Sequence, residues 1–264
     1  MELIISDIKK TFGEKVALNI DKCIVGEGEL VGLVGNNGAG KTTLFRIMLD
    51  LLQPDCGEVA VKGIYDDKEA LCVTSKSEDW KHFTGAYIDS GFLIDYLTPE
   101  EYFRFLAKVN GISEPQLYER LKDYDQFMNG EVLGQNLLIR NLSAGNKQKV
   151  GIIGAMINNP SLLVLDEPFN FLDPSSQIAM KYMLDEYNRK YGATIIVSSH
   201  NLTHTIDICN RAILLEHGCI IKDYTKSQAD DMMVEIEDYF MHGLKNHSGE
   251  VCSETTVEIE ITQE

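Results

Sequence analysis

The sequence predicts an α/β fold with a mostly parallel central sheet, an antiparallel β subdomain near the N-terminus and a helical insertion. Three observations support this fold class. In the second half of the chain, short and uniformly apolar runs alternate with helical patterns, which is typical of a buried parallel sheet. Near the N-terminus, shorter runs alternate apolar with polar residues, which indicates antiparallel strands. Between these regions, residues at about 90–140 carry helical periodicity.

The predicted strands are of two kinds, alternating and uniformly apolar. The alternating strands are at Leu3–Ile8, Ala17–Ile20, Glu58–Val61 and Leu71–Thr74. The uniformly apolar strands are at Leu30–Val34, Leu162–Leu165, Thr194–Val197 and Ala212–Leu215. Outside the insertion, helices are predicted at Lys41–Leu52, Ala144–Asn158, Ser175–Lys190 and Leu202–Cys209.

The insertion and the C-terminal region complete the predicted organisation. The segment from Pro99 to about Leu138 is helical in pattern and contains no convincing strand. We predict a main domain at residues 1–224 and a C-terminal region at 225–264. That region combines an acidic amphipathic helix with a tail whose run Val257–Ile261 has a period of two, as in a short edge strand or a frayed end.

Composition and charge exclude several classes of protein. With 44% hydrophobic and 25% charged residues among 264, the chain is neither disordered nor collagen-like. The net charge of −17 argues against sequence-independent nucleic-acid binding, which requires neutralisation of phosphates. The six cysteines form no C-x-x-C pair, which favours free thiols in a reducing compartment. Met1–Lys10 lacks the pattern of a signal peptide, and the apolar runs are too short to span a bilayer, so we expect a cytoplasmic protein.

A glycine-rich segment after the first apolar strand predicts a phosphate-binding loop. The segment fits the pattern G-x-x-x-x-G-K-[ST] with the residues Gly35, Asn36, Asn37, Gly38, Ala39, Gly40, Lys41 and Thr42. Thr43 follows directly and is included in the predicted ATP-binding site. In such a loop backbone N–H groups face phosphate oxygens, Lys41 reaches the β- and γ-phosphates, and the Thr42 hydroxyl ligates Mg²⁺. A plain glycine-rich turn before a helix is the alternative, but the strand before and the helix after favour ATP binding with Mg²⁺.

Two carboxylates follow the apolar strand Leu162–Leu165. We expect Asp166 to hold Mg²⁺, directly or through water, because burying a carboxylate without a cation or donors is costly. Glu167 would then lie beside the γ-phosphate and polarise the attacking water. The alternative is a pair of helix-capping carboxylates.

The segment Leu142–Val150, which reads LSAGNKQKV, resembles the signature of the nucleotide-binding subunits of ABC (ATP-binding cassette) transporters. The family pattern is leucine-serine-glycine-glycine-glutamine followed by basic residues. Ser143 and Gly145 match it, whereas Ala144 replaces a glycine and Asn146 the glutamine. Alone, Ser143 would be a plain helix cap. The resemblance implies a P-loop NTPase core in which Ser143 and Gly145 contact the ATP bound by a second chain.

Other family elements occur in order between Ile4 and Val234. Phe12 occupies the position of an aromatic that stacks on adenine, although such a residue more often belongs to a core. Asp173 ends the segment that resembles the family's D-loop. His200 matches a switch histidine that contacts the γ-phosphate. His200 and His204 are also spaced as zinc ligands, but no third ligand is apparent.

One further position departs from the family. Most cassettes have a glutamine after the strand that precedes the insertion, and it touches Mg²⁺ and the attacking water. Counting back from Leu97 places Asp89 there, and a slip of one residue would place Ser90 there. We therefore predict a catalytic and metal-binding role for Asp89, with a surface position facing solvent or a partner as the alternative.

The resemblance implies an ATPase that powers an ABC transporter. The ATPase would act as a homodimer or with a second ATPase chain, at the cytoplasmic face of the membrane, together with a permease on a separate polypeptide. Tyr87–Gly111 resembles exporters of the ABC-2 kind, which move drugs, peptides, lipids or polysaccharides. The main alternative is a soluble ABC-type ATPase not coupled to transport. A scaffold with a dead site is disfavoured by Lys41, Asp166, Glu167 and His200.

Overall fold

A computed structural model describes residues 1–63, 70–73, 78–200 and 207–225, which belong to one compact unit, Met1–Ser227. The strands are β1 Glu2–Phe12, β2 Lys15–Val25, β3 Leu30–Val34, β4 Cys56–Lys62, β5 Ala70–Cys72, β6 Thr84–Tyr87, β7 Leu162–Leu165, β8 Thr194–Ser199, β9 Arg211–Glu216 and β10 Cys219–Thr225. The helices are α1 Lys41–Met48, α2 Pro99–Val109, α3 Glu114–Lys122, α4 Asp125–Met128, α5 Ala144–Met156 and α6 Pro174–Tyr191. Within these described residues, no helix has both the length and the apolar character needed to cross a bilayer.

The strands form two sheets, and both confirm the predicted fold class. The larger sheet has the order β10-β9-β3-β8-β7-β6, in which only the pairing of β10 with β9 is antiparallel. The smaller sheet is antiparallel and has the order β2-β1-β4-β5. Because the strands of the larger sheet run in parallel, the carboxyl ends of β3, β6, β7 and β8 meet at one edge, where ligands bind in open α/β sheets.

Two apolar clusters lie on opposite faces of the larger sheet. In β7, Leu163 and Leu165 belong to one cluster, whereas Leu162 and Val164 belong to the other. All four side chains are at most 1% exposed. A strand covered on both faces has no polar side, which explains why a continuous apolar run marks it in the sequence.

The helical insertion is built as the sequence predicts, with three helices and no strand among residues 99–138. Its first helix, α2, begins with a capping box in which the Thr98 hydroxyl accepts from the Glu101 N–H and the Glu101 carboxylate accepts from the Thr98 N–H. These bonds satisfy donors that a helix N-terminus otherwise leaves unpaired.

Several predicted boundaries differ from the observed ones. The helix predicted to reach Leu52 ends at Met48, because Asp50 adopts a left-handed conformation (φ 54°) and the N–H groups of Leu51 and Leu52 turn back to the Arg46 carbonyl. Conversely, β1 and β2 are 11 residues each and extend past the predicted strands, because their ladder continues through exposed polar residues.

The β9–β10 hairpin was not predicted as a hairpin, although its turn is recognisable in the sequence. His217 (φ 46°) and Gly218 (φ 81°) both have positive φ, as the central residues of a tight hairpin turn require. The Gly218 N–H donates to the Ala39 carbonyl, and the Asn19 N–H donates to the Gly218 carbonyl. The turn therefore joins the smaller sheet to the loop after β3.

Four predictions fall wholly or partly outside the described residues, and one of them is the strand predicted at Leu71–Thr74, whose last residue lies beyond the range 70–73. Most of the helix predicted at Leu202–Cys209 also lies outside the described residues, as do the acidic C-terminal helix and the tail at Val257–Ile261. The division into a main domain at 1–224 and a C-terminal region at 225–264 stays a prediction.

Candidate functional site

The predicted phosphate-binding loop connects β3 directly to α1. Its backbone is possible only with glycine at two positions. A Cβ on Gly35 would come within 2.2 Å of the Leu215 carbonyl oxygen, and Gly40 (φ 111°) would meet the Ala17 carbonyl oxygen at 2.7 Å. The sequence therefore packs the loop tightly against β9 and β2, and its N–H groups lead into the N-terminus of α1.

The loop borders a cavity of about 290 Å³. The loop residues that line it are Asn36, Asn37, Gly38, Gly40, Lys41, Thr42 and Thr43, and the other lining residues are Phe12, Lys15, Ala17 and Glu167. Gly35 and Ala39 do not line it, because Gly35 packs against β9 and Ala39 is 3% exposed. Phe12, at the end of β1, is 53% exposed and offers an aromatic face at the side of the cavity. That position suits stacking on a flat base.

Lys41 lines this cavity together with a second lysine, Lys15, and Lys41 is almost entirely buried. Its Nζ donates to the Gly35 carbonyl at 2.6 Å and the Asn36 carbonyl at 3.2 Å, and it lies 3.3 Å from Glu167 Oε1. The ammonium group is thus held at the floor of the loop by backbone oxygens, next to the carboxylate that sequence analysis assigned to catalysis.

Asp166 lies opposite Thr42 at the carboxyl end of β7. The Thr42 hydroxyl donates to Asp166 Oδ2 at 2.6 Å, and the Ser198 hydroxyl, at the end of β8, donates to Oδ1. Burial raises the pKa of Asp166 above its ordinary value, while the hydrogen bonds from Ser198 and Thr42 oppose that rise. A hydroxyl and a carboxylate at this separation are hard oxygen ligands of the kind that Mg²⁺ takes, so the donor set fits that ion.

Glu167 follows Asp166 in a left-handed conformation (φ 44°). Its Oε2 lies 2.7 Å from His200 Nδ1 and 3.3 Å from the His200 N–H. Its own N–H donates to the Ser198 hydroxyl at 2.7 Å. The structure therefore brings Lys41, Glu167 and His200 together, although 126 and 33 residues separate them along the chain.

Asp89 lies near the same carboxylates. With Asp166, Glu167, Asn170 and Phe171 it lines a second cavity of about 410 Å³. Its carboxylate is half exposed, accepts from the Gly91 N–H at 2.7 Å and lies 4.0 Å from the Arg46 guanidinium. Ser90, the alternative position, lines the same cavity, so the choice of Asp89 and its metal-binding role both stay predictions.

The signature residues do not line the phosphate-loop cavity. Ser143 caps α5 and accepts from the Asn146 N–H at 3.1 Å. A Cβ on Gly145 would meet the Phe171 carbonyl oxygen at 2.7 Å, so this glycine allows close approach of the two segments. Asp173 caps α6 and accepts from the Ser175 and Ser176 N–H groups, which together with the hydroxyls of these serines lower its pKa.

Sequence reasoning missed three residues that hold the site together: Ser198, Tyr87 and Gln148. Ser198 follows the apolar run of β8, and Gln148 lies in the polar stretch at residues 146–149 of α5, although both are buried. Neither interrupts an apolar pattern, so the sequence carried no local signal for them. The zinc alternative receives no support from the described ranges, where no group of three potential ligands is found, and His204 lies outside them.

Sequence comparison shows the family of the chain. The family model described as "ABC transporter" matches residues 18–170. The chain is 31% identical over 234 residues to the "Uncharacterized ABC transporter ATP-binding protein YdbJ" of Bacillus subtilis (strain 168), an alignment that spans 88% of this chain and 72% of YdbJ. It is 30% identical over 201 residues to the "Methionine import ATP-binding protein MetN" of Streptococcus agalactiae serotype III (strain NEM316), which covers 75% of this chain and only 56% of MetN.

Solved structures support the same conclusion. An ATP-binding subunit of an ABC transporter superposes with a TM-score of 0.77 at 27% identity and covers 93% of this chain and 100% of its own. The dimeric cassette MJ0796 superposes with a TM-score of 0.72 at 24% identity, and the alignment covers 85% of this chain and 98% of MJ0796. At this identity the similarity supports the fold alone. This chain therefore belongs to the ABC transporter family, as an ATP-binding cassette subunit and an ATPase.

Proposed function

We propose that the chain binds ATP between Phe12 and the phosphate loop and hydrolyses it to drive a membrane subunit on a separate polypeptide. The observation that carries this proposal is the convergence of Lys41, Glu167 and His200 beside the Thr42–Asp166 pair. Of these, Lys41, Thr42 and Glu167 line one cavity. A scaffold with a dead site would not need to keep these five side chains within contact of one another. An ABC-type ATPase that is not coupled to transport is the second candidate.

The residues divide the chemistry between them. Lys41 and the loop N–H groups bind the β- and γ-phosphates, and Thr42 and Asp166 hold Mg²⁺, which neutralises phosphate charge when bound. Glu167 orients and polarises the attacking water, and His200 steadies the Glu167 carboxylate through Nδ1 and meets the γ-phosphate. ATP binding and turnover by the purified chain test these assignments, through the Lys41 and Glu167 substitutions argued in the Discussion.

We assign Asp89 to the Mg²⁺ side of the same site. Asp89→Asn removes one negative charge, whereas its remaining oxygen still accepts from the Gly91 N–H, so the local fold is kept. We expect ATP binding by the variant to depend less steeply on Mg²⁺ concentration than in the parent, because the full charge repels the γ-phosphate unless Mg²⁺ compensates it.

The measurement is a titration of Mg²⁺ at fixed ATP. Asp95→Asn is the matched control, since it makes the same charge change six residues away on an exposed side chain. An unchanged Mg²⁺ curve with intact turnover in Asp89→Asn would place Asp89 at the surface and leave the metal to the Thr42–Asp166 pair.

We propose that the membrane subunit contacts an apolar groove beside the helical insertion. This groove has a volume of about 470 Å³, and its lining includes Leu51, Trp80, Phe92, Tyr102 and Leu106. Leu51 and Phe92 are more than half exposed and line the same groove, and apolar side chains that share an exposed patch mark an interaction site. A helix from the cytoplasmic side of a permease would bury them, and the chain would then work at the cytoplasmic face of the membrane.

A charged substitution in the groove tests binding of the membrane subunit separately from ATP hydrolysis. Leu51→Asp should lower co-purification with a co-expressed membrane subunit by about tenfold or more, because it buries an unpaired carboxylate. ATP hydrolysis by the isolated chain should be unchanged. Phe105→Asp is the matched control, since Phe105 is 46% exposed on α2 but does not line the groove. Equal loss in both variants would contradict the groove as the docking site.

We further propose that two cassettes close head to tail, as a homodimer or with a second ATPase chain. The positions of Ser143 and Gly145 away from the Lys41 cavity support this, because they leave the signature residues available to a second nucleotide site. Export of a drug, peptide, lipid or polysaccharide is our proposal for direction, from the segment Tyr87–Gly111. The similarity to methionine import proteins does not support export. Uptake into inside-out membrane vesicles would support it, and uptake into right-side-out vesicles would contradict it.

A further inference from the structure

The buried side chain of Gln148 connects the turn that carries Glu167 to helix α5 and to Tyr87. Gln148 lies in the second turn of α5 and is 5% exposed. Its Nε2 donates to the Glu167 backbone carbonyl at 3.1 Å, and its Oε1 accepts from the Tyr87 hydroxyl at 2.8 Å. Both ends of the amide are therefore used, which fixes the orientation of the side chain.

The Tyr87 side chain packs closely against the same helix. A Cβ on Gly151 would lie 2.0 Å from its ring, and Gly151 follows Gln148 by three residues, so the two share a face of α5. Burial raises the pKa of Tyr87, which keeps the hydroxyl protonated and able to donate. The Tyr87 carbonyl in turn accepts from the Asp166 N–H at 2.8 Å. Tyr87 thus contacts α5 with its side chain and the metal-side carboxylate residue with its backbone.

Glu167 needs external support because of its backbone. A positive φ at a non-glycine residue is strained and persists only where the surroundings hold it. Here the N–H of Glu167 is held by Ser198, and its carbonyl accepts from Gln148 and, within the same turn, from the Asn170 N–H at 3.1 Å. Without Gln148 the carbonyl keeps only this local bond, so the turn loses its tie to α5 and the carboxylate is free to move away from Lys41 and His200.

We propose that Gln148 is a positioning residue for ATP hydrolysis, which fixes the Glu167 carboxylate by holding the Glu167 backbone carbonyl. The proposal rests on the assignment of Glu167 to the hydrolytic step. Since Ser143 caps the same helix, α5 links the signature segment to the catalytic turn through one side chain. A displacement of α5 by a second cassette would therefore reach Glu167.

Two substitutions separate positioning from stability. Gln148→Met has a similar volume and no donor for the Glu167 carbonyl, but it also leaves the Tyr87 hydroxyl unpaired. Adding Tyr87→Phe removes that hydroxyl and keeps the ring against Gly151. For Gln148→Met we expect a lower Tm and a kcat reduced by about tenfold or more, with the KM for ATP within about twofold of the parent.

The double variant is the decisive measurement. Its Tm should recover, because no buried hydroxyl is left unpaired, whereas its kcat should stay low, because the Glu167 turn is still not bonded to α5. Tyr87→Phe alone keeps the bond to Glu167 and should retain a kcat within about threefold of the parent. Gln126→Met, on the exposed face of α4, is the matched control and should change neither quantity.

Recovery of kcat together with Tm in the double variant would show a merely structural role and overturn the proposal. So would a parental kcat in Gln148→Met. If that single variant does not fold, the double variant is compared with Tyr87→Phe, and equal kcat values overturn the proposal. Glu167→Gln distinguishes failure of the two assignments. If Glu167→Gln is fully active, Glu167 has no catalytic role. If Glu167→Gln is inactive but Gln148→Met is fully active, only the positioning role of Gln148 is contradicted.

Discussion

Glu167→Gln should lower the kcat of ATP hydrolysis by about 10²–10⁴-fold while ATP binding persists, because the amide keeps the shape of the side chain but cannot act as a base. The left-handed backbone at this residue is equally available to glutamine. Removing the charge also removes repulsion of the γ-phosphate, so the affinity for ATP should stay equal or increase. Single-turnover hydrolysis and equilibrium nucleotide binding on the same preparation measure the two effects separately.

The same variant tests the proposed pairing of cassettes. With ATP trapped in the presence of Mg²⁺, we expect size-exclusion chromatography to show a shift from monomer to dimer. Glu119→Gln, on the exposed surface of α3, is the control and should hydrolyse at the parental rate. Hydrolysis by Glu167→Gln within about threefold of the parent would reassign the base, and a monomer at high protein concentration would contradict the closed dimer.

Lys41→Ala should weaken ATP binding by about 10–100-fold, because charge-assisted hydrogen bonds to phosphate contribute about 1.5–3 kcal/mol. It also leaves Glu167 without the cation 3.3 Å away, which adds repulsion of the phosphates. Binding of a fluorescent ATP analogue measures the loss, and turnover should fall with it.

Two further substitutions show whether that loss is specific. Lys41→Arg keeps the charge but cannot fit the same pair of carbonyls, so its binding should be intermediate. Lys122→Ala removes an exposed lysine of α3 and should leave binding unchanged. Normal turnover in Lys41→Ala would remove the phosphate-loop assignment altogether.

The sequence predicted the bounds of some strands to the residue and those of others poorly. The difference follows from how far each strand extends beyond its apolar run. The bounds of β3 and β7 were correct because these two strands begin and end with their apolar runs, whereas β8 continues past Val197 through the buried Ser198 and Ser199. The bounds of β1 and β2 were too short because exposed polar residues continue the ladder. The strand β10 was missed because a register shift between Ile220 and Lys222 interrupts its alternation.

The candidate site divides in the same way. The motif residues that line the two cavities could be proposed from the sequence because their spacing along the chain reflects one strand, one turn and one helix; they are residues 36–38 and 40–43, together with Asp166 and Glu167. Ser198 and Gln148 were missed because their roles come from contacts with residues 32 and 61 positions away. Motif spacing carries no information about such contacts, since tertiary packing alone creates them.

The turn at His217 and Gly218 has a consequence for how this protein is made. The phosphate loop, complete in sequence by Thr43, rests on the Gly218 N–H and on the Leu215 carbonyl. Its strand β3 pairs with β8 and β9, which a ribosome adds more than 150 residues later. During synthesis, the chain therefore contains the phosphate-loop motif long before it contains the strands that pack against that loop. ATP can stabilise this protein only after the hairpin has left the ribosome, and until then the apolar edges of β3 depend on other means of protection from aggregation.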